Sequence, residues 1–369
     1  MTDDHMNGIR AFGAARRYYQ GPGALRLVGE VSAQLGKAPL LVCDPIVHDL
    51  LFAQASASCQ ARGQKLEWAR VNGEVTRAAV ADLIREARQQ GCQTDIVLAA
   101  GGGKGVDTGK AVARELGARL VVLPTSASND GPCSKAFVFY DDHHRMESVE
   151  QLSSNPDAVI VDTNILVRAP RALLVSGIGD ALCKLYEGEQ ARKAGGRNLF
   201  GGTATIAAQH LSLACEQVIR EDAVPGLRAV GAGRPDAAFE RLTEALVLLS
   251  GLAFENSGLS IAHSMTRGLP LIDGTASTLH GQHVAYGLLV QFLLEGRSAG
   301  FMAAQIRFYR SVGLPVTLRE LGATDVGAAS MEQVAKGTMS SPHINHFQRP
   351  LSSDDFLAAM QQLEGMSTS

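Results

Sequence analysis

Asp95-Ile-Val-Leu-Ala-Ala-Gly-Gly-Gly-Lys-Gly-Val-Asp-Thr-Gly-Lys110 is an apolar run that ends in three glycines and passes directly into helix-like spacing. Residues 95–100 read as a buried strand and Val106 to Leu116 as a helix. A strand that delivers glycines to a helix start suits phosphate. The backbone can approach closely, and the helix N-terminus offers free N–H groups and a positive dipole. The pattern is neither G-x-G-x-x-G nor the P-loop, so taken alone it also fits a tight strand-to-helix turn. Outward from it, Pro39-Leu-Leu-Val-Cys43, Leu120-Val-Val-Leu123 and Val159-Ile-Val161 read as further strands, and Arg77 to Gln90 as a helix. Strand alternating with helix predicts parallel βαβ units. Ala136-Phe-Val-Phe-Tyr140 is a β-rich run ending in Asp-Asp-His-His, read as a hairpin.

From about Pro170 the texture changes. Long Ala/Leu-rich segments follow: 171–192, 203–220, 237–254, 257–268, 279–294 and 298–312, each with helical periodicity. Gly and Pro punctuate them at Gly195-Gly196, Pro225-Gly226 and Pro235. The expectation is α/β plus all-α: an N-terminal Rossmann-like parallel sheet domain over 1–168, then a helical-bundle domain over 169–369. A chain of 369 residues supports two such cores.

Composition excludes several partners. The chain has 37 acidic against 34 basic residues, which gives no footprint for a nucleic-acid polyanion. No segment has the roughly 18 apolar residues needed to span a membrane. The N-terminus, Met1-Thr-Asp-Asp-His-Met6, lacks the basic start and apolar run of a signal peptide. Six scattered cysteines without a C-x-x-C pair read as reduced thiols of a cytoplasmic protein.

Three short segments in the second half each carry one metal-capable side chain: Gly-Ile-Gly-Asp180, Ala-His263-Ser and Leu-His280-Gly. One carboxylate and two imidazoles make the ligand set of an open catalytic zinc site, with the fourth position left for substrate. His283, one helical turn beyond His280, is a candidate for proton handling. Other histidines, such as His210 and His343, read as packed residues. In the first half, Asp44 ends a strand, where a carboxylate can accept hydrogen bonds from ribose hydroxyls and would repel a 2′-phosphate. That favours NAD over NADP; an N-cap would explain the same residue. Pro124-Thr125-Ser-Ala-Ser128-Asn-Asp130-Gly-Pro-Cys-Ser134 is a loop rich in hydrogen-bonding groups.

With those motifs in order, the chain resembles the glycerol dehydrogenases of the metal-dependent (iron-containing-type) alcohol dehydrogenase superfamily. The resemblance runs nearly end to end. It also takes in Tyr19-Gln-Gly-Pro-Gly-Ala24, Glu255-Asn-Ser-Gly-Leu259 and His280-Gly-Gln-His-Val-Ala-Tyr-Gly287. It implies a dehydroquinate synthase-like fold, often assembled into homo-octamers, with Asp180, His263 and His280 as Zn2+ ligands. It places Asp44, Gly102, Gly103, Lys104, Gly105, Val106, Asp107, Thr125, Ser128, Ser134, Ala136 and Tyr140 at NAD. Asp130 would orient the substrate hydroxyls.

The implied reaction is NAD-linked oxidation of a secondary hydroxyl of a small polyol, of the glycerol-to-dihydroxyacetone type. Zinc would act as a Lewis acid on the reacting oxygen. The iron enzymes carry a histidine four residues after the aspartate; Lys184 stands there instead. A protonated lysine cannot ligate, which favours zinc over iron. Asp180 with Lys184, and His263 with Arg267, are i, i+4 pairs on one helix face. That lysine resembles the related hydroxycarboxylate dehydrogenases. An anionic substrate, a hydroxy acid or another anionic hydroxy compound, is therefore the alternative, with Lys184 and Arg267 receiving its charge. A third expectation is a dehydroquinate synthase-like cyclase, which would return its NAD unchanged.

Overall fold

Leu40, Leu41, Val42 and Cys43 are buried to 1 % exposure or less, as a strand covered on both faces requires. The computed structural model describes residue 6 and residues 8–89, 91–141 and 146–367. The first part runs β1 (Tyr18–Gly21), α1 (Val28–Ala33), β2 (Pro39–Cys43), α2 (Pro45–Gln60), β3 (Glu67–Arg70), α3 (Arg77–Gln89), β4 (Ile96–Gly101), α4 (Gly103–Leu116) and β5 (Arg119–Pro124). The hairpin β6 (Ala136–Tyr140) and β7 (Met146–Gln151) follows, then β8 (Ala158–Asp162) and α5 (Thr163–Leu166). Six strands form one parallel sheet in the order β1-β8-β5-β4-β2-β3. The parallel sheet domain expected from the strand–helix alternation is what the chain forms. Val28, Leu51, Leu98, Val121 and Ile160 meet in its core.

The quoted stretch lies in the middle of this sheet. A Cβ on Gly109 would sit 2.2 Å from the Ala99 Cβ, and one on Gly105 would sit 2.2 Å from the Ala100 carbonyl oxygen. Glycine at both positions therefore lets α4 lie against β4. Gly101 has a φ of 135°, a conformation that side chains disfavour. Strands β1 and β3, four residues each, carry no long apolar run and were not expected from the sequence. β6 pairs antiparallel with β7, as the hairpin reading anticipates, but its turn at Asp142-His-His-Arg145 lies outside the described residues. So does most of the Met1–Met6 segment.

The second part is helical: α6 (Arg171–Leu182), α7 (Lys184–Lys193), α8 (Ile206–Ala232), α9 (Ala237–Glu244), α10 (Ser250–Ser257), α11 (Ile261–Ser264), α12 (His280–Leu294), α13 (Ala299–Val312), α14 (Ala328–Thr338) and α15 (Ser353–Ser367). The helix expected over 171–192 is two helices that meet at Cys183. No single helix among the described residues is long and apolar enough to cross a membrane.

The chain divides into two compact units, Ala14–Ala169 with Ala229–Gly251, and Met1–Gly13 with Pro170–Arg228 and Leu252–Ser369. The break after Ala169 lies beside the expected boundary, but two segments change sides. Residues 229–251 join the sheet unit because Glu240 is bonded there: its carboxylate accepts from Gln20 Nε2 at 2.9 Å and from Thr163 Oγ1 at 2.5 Å. The N-terminal segment joins the helices because Gly13 and the Asn256 side chain exchange two hydrogen bonds of 2.8 Å.

Candidate functional site

Glycine brings the metal-capable residues together. A Cβ on Gly281 would sit 1.8 Å from the Ser176 carbonyl oxygen, and one on Gly179 would sit 2.3 Å from the Gly281 carbonyl oxygen. α12 therefore packs backbone to backbone on α6, which sets His280 beside Asp180. Gly287 does the same against α11, where its Cβ would meet the Ala262 carbonyl oxygen at 2.6 Å. That contact fixes the helix that carries His263.

The potential ligand atoms of Asp180, His263 and His280 all lie within 4.8 Å of one another. Asp180 Oδ1 is 3.3 Å from His263 Nε2 and 4.0 Å from His280 Nε2. Two ligands bound tetrahedrally to one zinc stand about 3.4 Å apart, so the spacing fits a shared divalent ion. His263 Nδ1 is 2.6 Å from Glu187 Oε2, which directs Nε2 toward Asp180. Glu187 Oε1 also accepts from the His263 and Ser260 backbone N–H groups, each at 2.9 Å. His280 remains 45 % exposed, whereas Asp180 is 1 % exposed. The cluster is thus anchored at one end and open at the other.

Electrostatics favour the ionised Asp180 carboxylate and also favour a proton on His263, which an ion would have to displace. Burial alone would raise the Asp180 pKa, but the Lys184 ammonium and the two histidines overcome it and hold the carboxyl well below the usual range. Burial would lower the His263 pKa; the Glu187 carboxylate reverses that and makes the imidazole more basic than usual. Glu187 itself is held at about 2: burial opposes ionisation, but His263 and then Lys184 favour it.

Lys184 and Arg267 differ in surroundings. Lys184 is 1 % exposed, and its Nζ lies 2.9 Å from Asp180 Oδ1 and 3.4 Å from His263 Nε2. Arg267 is exposed. His283 is buried and its Nε2 lies 3.1 Å from the Thr275 carbonyl oxygen. Burial, and then the charge of His280, push its pKa down to about 4. That environment suits a neutral ring that holds the loop before α12 more than a proton carrier exchanging with solvent.

In the sheet unit, Gly102 is the N-cap of α4 and makes no side-chain cap bond, so the first turn opens on bare backbone. Gly103 follows it; a Cβ there would meet Asn129 Nδ2 at 2.9 Å. Gly105 and Val106 are buried, and Lys104 points outward to Glu74 at 2.8 Å. Asp107 accepts from the Val138 N–H at 3.2 Å, and burial pushes its pKa up to about 6, against the pull of Lys110. Asp44 caps α2: its Oδ1 accepts from the Ile46 and Val47 N–H groups at 2.8 and 3.0 Å. The helix-cap alternative is therefore realised, and a ribose contact would fall to Oδ2.

The loop after β5 is tied back to the same place. Thr125 N–H donates to the Gly101 carbonyl at 3.0 Å, Ser126 Oγ lies 3.2 Å from Ser128 Oγ, and Ser134 Oγ accepts from the Ala136 N–H at 2.8 Å. Asp130 precedes a short 3-10 turn at Gly131–Cys133. Tyr140 ends β6, its hydroxyl pKa pushed up to about 12 by burial and then by Asp107 and Glu74.

Two residues escaped the sequence reading. Lys110 is fully buried and its Nζ donates to the Gly131 and Ala136 carbonyls, both at 2.7 Å. It fastens α4 to the serine-rich loop. Glu187 orients His263 as described, and its position seven residues after Asp180, two helical turns on, was the available signal.

Residues 19–170 match the family model described as iron-containing alcohol dehydrogenase. The chain is 35 % identical to a glycolaldehyde reductase of Halobacterium salinarum over 91 % of each chain. It is 34 % identical to a glycerol dehydrogenase of Thermotoga maritima over 94 % of each chain. The crystal structure of glycerol dehydrogenase from Schizosaccharomyces pombe superposes with a TM-score of 0.92 at 28 % identity, covering 97 % of this chain and 91 % of that one.

Proposed function

The chain belongs to the iron-containing alcohol dehydrogenase family, and from that premise we propose a glycerol dehydrogenase-type enzyme, an NAD-linked, metal-dependent oxidant of a secondary hydroxyl on a small polyol. The observation that carries this reading is the convergence of Asp180, His263 and His280 on one point in a chain about a third identical to a glycerol dehydrogenase. We assign these three as the metal ligands and zinc as the metal, because three protein ligands with a lysine at the remaining helical position suit a four-coordinate ion. A bound zinc supplies Lewis acidity to the reacting oxygen, and NAD supplies the hydride acceptor.

The chain's own residues supply position and charge. Glu187 fixes the His263 ring, and Asp180 stays ionised in a dry setting. The Gly102–Gly105 backbone at the start of α4 receives the pyrophosphate. Asp44 reads the ribose and disfavours a 2′-phosphate. Asp130 accepts a hydrogen bond from a substrate hydroxyl. Six free cysteines, five of them buried, support a reducing, cytoplasmic setting.

One observation favours a second reading. Two cations flank the ligand set in sequence: Lys184 contacts Asp180, and Arg267, four residues after His263, is exposed. Guanidinium and ammonium both receive a carboxylate, so a small hydroxy acid is the alternative substrate class.

A panel separates the readings: glycerol, 1,2-propanediol, 2-hydroxy acids and glycerol phosphate, each with NAD and with NADP, followed as NAD(P)H formation. The expected result is the highest kcat/KM for a vicinal polyol with NAD, and a change of less than about threefold in Arg267→Ala with glycerol. Preference for a hydroxy acid, lost about tenfold or more in Arg267→Ala, selects the second reading. Turnover with NADP alone removes the role given to Asp44. No net reduction of either nucleotide by any of these compounds removes the dehydrogenase assignment.

A further inference from the structure

Lys184 is among the largest fully buried side chains of the described chain, and its ammonium lies beside the proposed metal ligands. Its Nζ reaches Asp180 Oδ1 at 2.9 Å and His263 Nε2 at 3.4 Å. These are the two atoms the ligand assignment gives to zinc. His263 Nδ1 is committed to Glu187 at 2.6 Å, so Nε2 is the ring atom left for other partners. That position holds a proton, accepts the lysine N–H or binds an ion, one at a time.

We propose that Lys184 is a tethered cation that competes with zinc for Asp180 and His263, so that metal uptake is an exchange of one positive charge for another. The inference rests on the ligand assignment proposed above. An ion about 2.0–2.2 Å from both atoms takes the pairs the ammonium contacts, and it places a divalent charge next to a like one. The ammonium must then swing off. Phe254 already lies beside it: its ring centroid is 5.6 Å from Nζ, within cation–π range, so a swing toward that ring keeps a favourable contact. A lysine in this position serves two ends. It balances the buried Asp180 carboxylate when no ion is bound, and it makes the site surrender metal more readily than its donors alone would. No chemistry on Lys184 is involved, only the occupancy of shared lone pairs.

The test is zinc affinity, read by competition with a chromogenic chelator, in wild type, Lys184→Met, Lys184→Gln and Asp180→Asn. Lys184→Met should bind zinc at least tenfold more tightly than wild type. In excess EDTA the same variant should unfold at a lower temperature than wild type, because the carboxylate has lost its counter-charge. The sign makes the test specific: a side chain that merely supports the fold would weaken metal binding when removed. If Lys184→Met does not fold, Lys184→Gln gives the same comparison. Unchanged or weaker zinc affinity in the folded lysine variant, with affinity lost in Asp180→Asn, overturns the exchange and leaves the ligand set standing. Wild-type affinity in Asp180→Asn removes the ligand set, and the exchange with it.

Discussion

Asp180→Asn is expected to lower kcat/KM for the best polyol by about a thousandfold or more, with the fold retained. The size follows from what the carboxylate does. It is 1 % exposed, and its Oδ1 lies within 2.9 Å of Lys184, 3.3 Å of His263 and 4.0 Å of His280. Removing its charge deletes the anionic member of the proposed ligand set. A bound metal contributes several kcal/mol to the transition state, and each ~1.4 kcal/mol is tenfold in rate. Asparagine nearly preserves shape, so the loss is electrostatic and not a cavity effect. Steady-state NADH formation, together with bound metal per chain, checks it. A variant within tenfold of wild type would show that Asp180 is not a ligand.

The second large effect is at Glu187. Glu187→Ala is expected to weaken zinc binding roughly 10–100-fold, as loss of an outer carboxylate on a ligating histidine does. It should also cost about 3–5 kcal/mol of stability, because one side chain accepts from two backbone N–H groups and from His263 Nδ1. Removing it strands all three in a buried place. Glu187→Gln keeps the volume and one carbonyl oxygen for the backbone donors, but it presents an amide N–H or a neutral oxygen to His263. It should recover most of the stability and less of the zinc affinity. Thermal unfolding and chelator competition separate the two effects. Equal zinc affinity in wild type and Glu187→Ala would remove the orienting role.

The glycine run at 101–105 was legible because strand, glycines and helix are contiguous, so one local pattern carries the whole β4–α4 unit. The three ligand candidates were legible by residue type, but their meeting was not. That depends on Gly179, Gly281 and Gly287 letting three helices touch through their backbones, and each of those glycines looks ordinary in the linear sequence. The spacing places Lys184 one turn beyond Asp180 on a continuous helix. The chain instead breaks at Cys183, yet the lysine still turns inward onto the carboxylate. Glu187 carries only a weak signal in the sequence because a charged residue in a helix usually faces solvent. Its burial comes from partners on α11, far along the chain. The shift of residues 229–251 to the sheet unit has the same cause, since Gln20 and Thr163 meet Glu240 only in the folded chain.

The central claim is that an ion held by Asp180, His263 and His280 enables the NAD-linked oxidation. Its most direct measurement is NADH formation from glycerol by protein stripped of metal with a chelator, before and after stoichiometric zinc is returned. The account predicts that the stripped, folded protein forms essentially no NADH and that about one zinc per chain restores turnover. Undiminished NADH formation by the metal-free protein would contradict it.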